Sequence, residues 1–363
     1  MSQSATDSDF VHHLSLLTLG RDGQPSGVTP LDFVAGLKRS ERDQLLATAD
    51  SHHVIIRALA VLHQDAALAG NNDVAEWCLK AITDERSRID AALPVLDRVC
   101  RELGTNACPV TVIKTLDHWP DLGNDLDLFT TGDERNVVKV MVSQFHAHVE
   151  PRSWGDRLAC KWNFALPGLR ESIEIHCQRL GQTGEHIAMA KRFVTRRIFR
   201  SVQGYTFPVP APEERVIVAT LQRMYRHFYF RLSDIVNSAA LLDSHAIDFD
   251  ELRTSAELGG IWPGVATYLK LVSDYVRKYR VTAPPLPPEV AGAAVFDGEV
   301  LKVRNCFLRV PIMPYGARLY TRQVTRTALR GDVPATFRLT LLPPLASAAA
   351  VAYRLTGSDK GIW

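Results

Sequence analysis

Asp125 and Asp127 stand two residues apart in the run Ile113-Lys-Thr-Leu-Asp-His-Trp-Pro-Asp-Leu-Gly-Asn-Asp-Leu-Asp-Leu-Phe129. On a strand, a spacing of two puts both carboxylates on one face. Adjacent carboxylates repel unless a cation or a proton intervenes. Mg²⁺ is the natural partner, because it prefers oxygen ligands and shares them with phosphates. A third acid, Glu174, lies between β-branched residues in Ile173-Glu174-Ile175-His176. It must face away from the side that the isoleucines bury. If its strand lies beside that of Asp125 and Asp127, three carboxylates converge, the minimum for a two-metal phosphoryl-transfer site. One metal would hold a triphosphate. The other would lower the pKa of the attacking hydroxyl, with Glu174 or Asp127 accepting the proton. His176, on the face of Glu174, could orient that acid, touch a phosphate or serve structurally. Lys161 alternates with Trp162 on the preceding strand-like run and is expected to make a secondary contact.

These residues need elements to position them. The chain has 363 residues, 46 % apolar and 23 % charged, with 42 Lys and Arg against 40 Asp and Glu. That composition excludes a disordered, collagen-like or coiled-coil chain, and the near balance of charge gives no global match to nucleic acid. Residues 1–105 read as a helical region. Residues 1–30 are polar and expected to begin loosely ordered. One helix is expected from Asn71-Asn72-Asp73 through Ile82, and another carries Ile89 to Leu103, stopped by Gly104. Residues 106–212 alternate as an α/β core. Strands are expected at Pro109–Lys114, Asp125–Phe129, Leu158–Leu166 and Glu171–Cys177, with a helix from Glu134 to Val149. Pro208, Pro210 and Pro212 read as a stiff connector. Residues 213–283 form a second helical region, whose apolar stripe runs from Val216 through Phe228 to Ala239. Residues 284–363 are basic and mainly helical. No apolar run reaches the roughly 18 residues that cross a bilayer, the longest being Pro343 to Tyr353. The amino terminus has no secretory pattern. Six cysteines without a Cys-x-x-Cys pair fit a reducing cytoplasm.

The order of these features resembles the nucleotidyltransferase superfamily of the DNA polymerase β type. That superfamily has a Gly-[Gly/Ser] turn, an h-Asp-h-[Asp/Glu]-h strand and a third acid on a neighbouring strand. More narrowly, the chain is similar to a bacterial nucleotidyltransferase-like family found near secondary-metabolite, polysaccharide and modified-peptide genes. The matching features are Ile113-Lys114-Thr115, Asp125-Leu-Asp127, Glu174-Ile-His176 and Arg231-Leu-Ser-Asp234, across about residues 30–245. The resemblance implies an α+β fold, a polymerase β-like mixed-sheet core flanked by helical amino- and carboxy-terminal regions. It implies Mg²⁺ (or Mn²⁺) and transfer of a nucleoside monophosphate from an NTP to a hydroxyl or phosphate of an acceptor, with release of pyrophosphate. Asp125, Asp127 and Glu174 would be the catalytic and metal-binding residues. Lys114, Thr115, Asn124, Lys161, His176 and Arg231 would contact the nucleotide. The chain departs from the pattern at Thr115, where the turn glycine stands. Glycine permits close backbone approach and positive φ, and threonine does not. Lys114 could supply charge to the weakened phosphate cradle.

Arg231 and Asp234 are three apart and would meet on one helix face, as an ion pair or as an arginine held towards phosphates. His52-His53, like the other histidine pairs, has no spacing that forces a metal. In the tail, Arg318, Arg322, Arg326 and Arg330 recur every four residues and form one helical stripe. Between residues 300 and 340 eight basic side chains face Asp332 alone. That stripe is a candidate contact for an anionic partner, whether a phosphate-bearing substrate, nucleic acid or membrane surface, or else a solvated helix face that neutralises acids elsewhere in the fold. Two other functions fit the same residues: a non-catalytic nucleotidyltransferase-like binding or scaffold protein docking through its basic tail, and a toxin-like enzyme modifying tRNA. No Walker A, Gly-x-Gly-x-x-Gly or Gly-x-Ser-x-Gly sequence competes.

Overall fold

The computed structural model describes residues 5–20 and 27–356. The expectation of loose order over residues 1–30 falls partly on 1–4 and 21–26, outside the described residues. Between them lies α1 (Asp7–Leu19), started by a capping box of Thr6 and Asp9. Then come α2 (Pro30–Gly36), α3 (Arg39–Ser51), α4 (Ile55–Leu68) and α5 (Asn72–Thr105). The last is one helix of 34 residues, where the sequence suggested two. It passes through Gly104, and its end is set instead by Asn106, whose side-chain amide caps the Glu102 carbonyl at 2.8 Å.

The central sheet has the order β1-β2-β5-β4-β3. Its strands are β1 (Val110–Val112), β2 (Asp125–Thr130), β3 (His148–Val149), β4 (Lys161–Ala165) and β5 (Ser172–Cys177). Only the β2–β5 pair is parallel, so the sheet is mixed. Helix α6 (Glu134–Phe145) connects β2 to β3 and ends earlier than expected. His146 turns left-handed with φ 51°, and the residues beyond extend into β3. The short α7 (Trp154–Leu158) leads into β4, and α8 (Ala188–Thr195) follows β5. A hairpin of β6 (Arg197–Val202) and β7 (Tyr205–Pro210) comes next. Pro208 and Pro210, expected in a connector, lie in β7 of this two-stranded ribbon, and Pro212 starts α9 (Pro212–Met224). The stripe expected to run unbroken to Ala239 is interrupted. Phe228 adopts φ 53°, and β8 (Tyr229–Phe230) separates α9 from α10 (Leu232–Asp243). Helices α11 (Phe249–Leu258), α12 (Trp262–Val276) and α13 (Pro288–Ala293) follow. Strands β9 (Lys302–Arg304) and β10 (Phe307–Arg309) then pair, and β10 also pairs with β8. The tail forms α14 (Ala317–Leu329), α15 (Val333–Thr340) and α16 (Leu342–Thr356). The fold is thus α+β.

Two apolar cores hold it. One joins α1 and α4 to α9, α10 and α12, so the amino-terminal helices pack on the helices that follow the sheet. The other lies on the sheet, with Leu126, Leu128, Ile173 and Ile175 fully buried. Helix α5 serves both: Val74, Cys78 and Ile82 enter the first core, and Ile89, Leu93 and Leu96 the second. This packing crosses the boundaries expected from composition. All six cysteines are free thiols.

Two features of the tail bear on the expectations. Val333–Ala352 is long and apolar enough to cross a membrane by length and composition, with a mean hydropathy of 1.3 over 20 residues. The expectation counted unbroken apolar runs, whereas here Thr336, Arg338 and Thr340 are diluted by their neighbours. Arg338 is tied to the core through the carbonyls of Leu158 (3.1 Å) and Thr183. The arginine stripe is also partly used internally. Arg326 pairs with Glu257 at 2.7 Å and Arg330 donates to the Leu258 carbonyl at 2.6 Å, fixing α14 on α11. Arg318 and Arg322 stay exposed.

The loop that delivers β2 is anchored by one cation. Arg88 on α5 pairs with Glu85 (2.6 Å) and Glu171 (2.5 Å) and donates to the carbonyls of Leu122 (2.8 Å) and Gly123 (3.1 Å). The three charged side chains are at most 8 % exposed. Arg88→Leu would leave two buried carboxylates unpaired and is expected to destabilise the protein by about 3–5 kcal/mol in denaturant titration. A loss below about 1 kcal/mol would show that the pairing does not carry the loop.

Candidate functional site

Strands β2 and β5 run in register with Asp127 opposite Glu174. Their alternate residues enter the sheet core, so the pleat turns both carboxylates to the other face. In the antiparallel pairing of β4 with β5, Lys161 stands opposite His176. The three side chains that sequence placed on different runs thus meet through sheet register.

The turn before β2 adds the fourth. Lys114 has φ 64° and ψ −57°, and the Thr115 N–H donates to the Ile113 carbonyl at 2.7 Å. This is a γ-turn of the rare, strained hand. The left-handed backbone therefore falls on Lys114, not on the threonine that replaces the expected glycine. Thr115 is 1 % exposed. Its hydroxyl accepts from the Asp127 N–H at 2.7 Å and donates to the Asp125 carbonyl at 3.4 Å. The phosphate contact expected of Thr115 meets a hydroxyl already committed to β2. Its work is to staple the turn to the strand that carries the acids.

From this turn the Lys114 ammonium pairs with Asp127 and lies 3.6 Å from Glu174. Lys161 Nζ is 3.0 Å from Glu174 and 2.8 Å from Asp156. His176 Nε2–H donates to Glu174 at 2.8 Å, and its buried Nδ1 has no hydrogen-bond partner among the described residues. Burial pushes the Asp127 carboxyl up to about 8: repulsion from Glu174 and Asp125 adds to it and Lys114 opposes it. Burial acts on Glu174 as well, but Lys114, His176 and Lys161 outweigh it and hold that group well below the usual carboxylate range. The pair therefore shares its charge unequally, with Glu174 ionised and Asp127 inclined to keep a proton.

Ligand atoms of Asp127, Glu174 and His176 all lie within 4.8 Å of one another, a group that could hold a metal ion. The sequence proposed Asp125 as the third member. Asp125 lines the same cavity but is exposed, and His176 takes the close position. The carboxylate oxygens suit a hard divalent cation, and the crowding of negative charge already draws Lys114 to them. The residues thus fit a metal whose binding displaces the lysine.

The cavity before these groups has a volume of about 210 Å³. Asn124 stands exposed in its wall. Facing the acids are Arg223, Arg226, His227 and Arg231 from the end of α9 and the start of α10. Of the two readings of Arg231 and Asp234, the ion pair is not formed among the described residues. Asp234 pairs with Arg223 at 2.6 Å and accepts the Arg231 backbone N–H at 2.8 Å. A buried pair on adjacent elements displaces the one between helix neighbours and leaves the Arg231 side chain in the cavity wall. Arg226 makes no hydrogen bond or salt bridge among the described residues, so two cations face the cavity without an ion-pair partner. Burial, reinforced by Arg223, pulls the Arg231 pKa down. Sequence reasoning missed two more wall residues, His53 and His118, whose rings lie 4.8 Å apart. Burial and the nearby arginines keep both neutral. The placement of His118 inside the acid-bearing run was the available signal.

No known family model matches the chain. No curated protein matches it. Among solved structures it is similar to an antigenic nucleotidyltransferase-like protein from Paracoccidioides brasiliensis, with 14 % identity and a TM-score of 0.32. The match covers 53 % of this chain and 95 % of that one.

Two outcomes follow from the charge balance. Lys114→Met removes the ammonium that competes with a divalent cation. Calorimetric titration with Mn²⁺ alone should show affinity raised about tenfold or more, a sign fixed by the lost like-charge repulsion. Weaker binding would mean that Lys114 supports the metal rather than competing with it. The second concerns pH. The folded chain holds the Asp127 proton where the unfolded chain has lost it. That contribution is complete below about pH 4 and vanishes as pH rises through about 8. The melting temperature of the metal-free protein should therefore fall over this interval, and Asp127→Asn should shrink the fall. Identical slopes would remove the raised pKa.

Proposed function

We propose that this chain is a divalent-metal-dependent nucleotidyltransferase. The observation that carries the reading is the pairing of Asp127 with Glu174 on adjacent parallel strands, faced across one polar cavity by Arg226 and Arg231. Carboxylates whose oxygens lie within 4.8 Å of one another favour a cation, and arginines without carboxylate partners favour an anion. A metal–triphosphate complex supplies both.

Asp127 and Glu174 would hold Mg²⁺ or Mn²⁺, with Asp125 beside them. When bound, the metal neutralises the charge that develops on the phosphoryl oxygens. His176 and Lys161 fix the orientation of Glu174. Arg226, Arg231 and Lys114 would bind the phosphates, and Asn124 would stand at the nucleotide's exposed side. The acceptor oxygen bonds to the α-phosphorus as the bond to the bridging oxygen breaks. Pyrophosphate leaves with that electron pair, and a carboxylate of the pair takes the acceptor's proton. Catalysis of this kind is mainly positioning and charge neutralisation.

A second reading draws on the Lys114–Asp127 ion pair. If the lysine is not displaced, the cavity binds nucleotide without turning it over, and the protein is a binding module. Calorimetric titration with each NTP, with and without Mg²⁺, separates the two. The catalytic reading expects metal-dependent binding that is lost in Asp125→Asn. It also expects a loss of at least about a thousandfold in turnover for Asp127→Asn, with an unchanged or raised melting temperature. Binding indifferent to metal supports the module. The absence of binding by any NTP would overturn both.

A further inference from the structure

A second cavity, of about 400 Å³, lies on the other side of the turn between α9 and β8. Arg226 and His227 line both it and the polar cavity. A smaller pocket shares Lys114 and Arg226 with the polar cavity and Gln182, Glu185, Tyr225 and Arg226 with this one. The two spaces are thus neighbours across one strand of chain, with the partnerless Arg226 at their junction.

The chemistry of the larger cavity is different. Phe228, Ile312, Tyr320, Leu342, Pro343 and Ala349 are among its walls, contributed by the turn, the segment before α14, α14 itself and α16. Ala317 and Ala346 keep it wide. Apart from Arg226 and His227 at its border with the polar cavity, most of its polar side chains are already engaged. Gln182 donates to the Tyr225 carbonyl, and Glu185 accepts from the Thr183 N–H (2.9 Å) and hydroxyl (3.1 Å). Gln323 is 3.3 Å from His186. A nucleobase placed here would lose water from its donors and acceptors and find few groups free to replace it. An apolar body loses nothing by entering, and the volume suits a small ligand.

We propose that this cavity is the acceptor site and that the acceptor is an amphiphile. Its apolar body lies beneath α16, and its hydroxyl or phosphate reaches past Arg226 towards Asp127 and Glu174. The word acceptor rests on the nucleotidyltransferase reading; the apolar pocket itself does not.

The test uses phenylnaphthylamine, a neutral apolar fluorophore, on the full chain. Wild-type protein should bind it with enhanced fluorescence, and NTP with Mg²⁺ should leave its affinity within about twofold. Ala317→Trp fills the cavity and should weaken the fluorophore at least about tenfold while Mg²⁺-dependent NTP affinity holds. Ala346→Trp is the second variant if the melting curve of the first shows misfolding. Equal fluorophore binding by a folded variant overturns the pocket. Displacement of the fluorophore by NTP overturns the acceptor assignment and makes the cavity a nucleoside subsite. Failure of every NTP to bind wild-type protein overturns the nucleotidyltransferase reading and the acceptor role, while the fluorophore result still judges the apolar pocket.

Discussion

Two carboxylates in register on adjacent parallel strands, both turned to the same face and both buried, repel each other with little water between them. The site is organised around relieving that repulsion. Lys114 reaches Asp127 and Glu174 from the turn before β2, and Lys161 reaches Glu174 from the neighbouring antiparallel strand. His176 spends its Nε2–H on the same acid. The strained γ-turn at Lys114 is tolerated because Thr115, locked beneath it, ties that turn to the Asp127 backbone. A side chain that looked like a defect in a phosphate cradle thus secures the lysine and the acid together.

Opposite the acids, the arrangement is reversed. The chain breaks its helical stripe at Phe228 so that Arg223, Arg226, His227 and Arg231 come from two helix ends and the turn that follows the first, rather than from one helix face. Among the described residues only Arg223 has a carboxylate partner, Asp234. An acidic wall provided with lysines and an arginine wall in which Arg226 and Arg231 pair with no acid among the described residues together make a cavity with both signs of charge at short range. That is the electrostatic form of a place for a cation and a polyanion bound as a unit. The larger apolar cavity begins where this polar one ends, at the shared Arg226.

Much of the frame was legible. The alternation through Asp125-Leu-Asp127 and through Ile173-Glu174-Ile175 was sufficient to find both strands and the facing of their acids, because a pleat has a fixed period of two. The helices of residues 30–105 followed from spacings of three and four. Their ends were less legible. Gly104 had no tertiary reason to stop α5, and Asn106 supplied a cap two residues on. Pro208 and Pro210 looked like a connector because a sequence does not show that a strand has one paired edge and one free. In the tail, spacing alone could not say which arginines of the stripe serve the fold: Arg326 and Arg330 spend themselves on α11, and the sequence carries no sign of Glu257 or of the Leu258 carbonyl.

What the sequence by itself determined were the local quantities: which residues alternate, which acids share a strand face, which turn precedes them and how charge is distributed along the chain. Each follows from periodicities of the backbone that act over a few residues. What only the tertiary structure decided were the partners. That Asp127 stands opposite Glu174, that Lys114 and not Thr115 bears the left-handed backbone, and that Asp234 takes Arg223 and leaves Arg231 in the cavity wall depend on register and packing between separate elements of the chain. Burial then sets the energies, since the same carboxylates on a solvated strand would be screened and would need neither lysine nor metal.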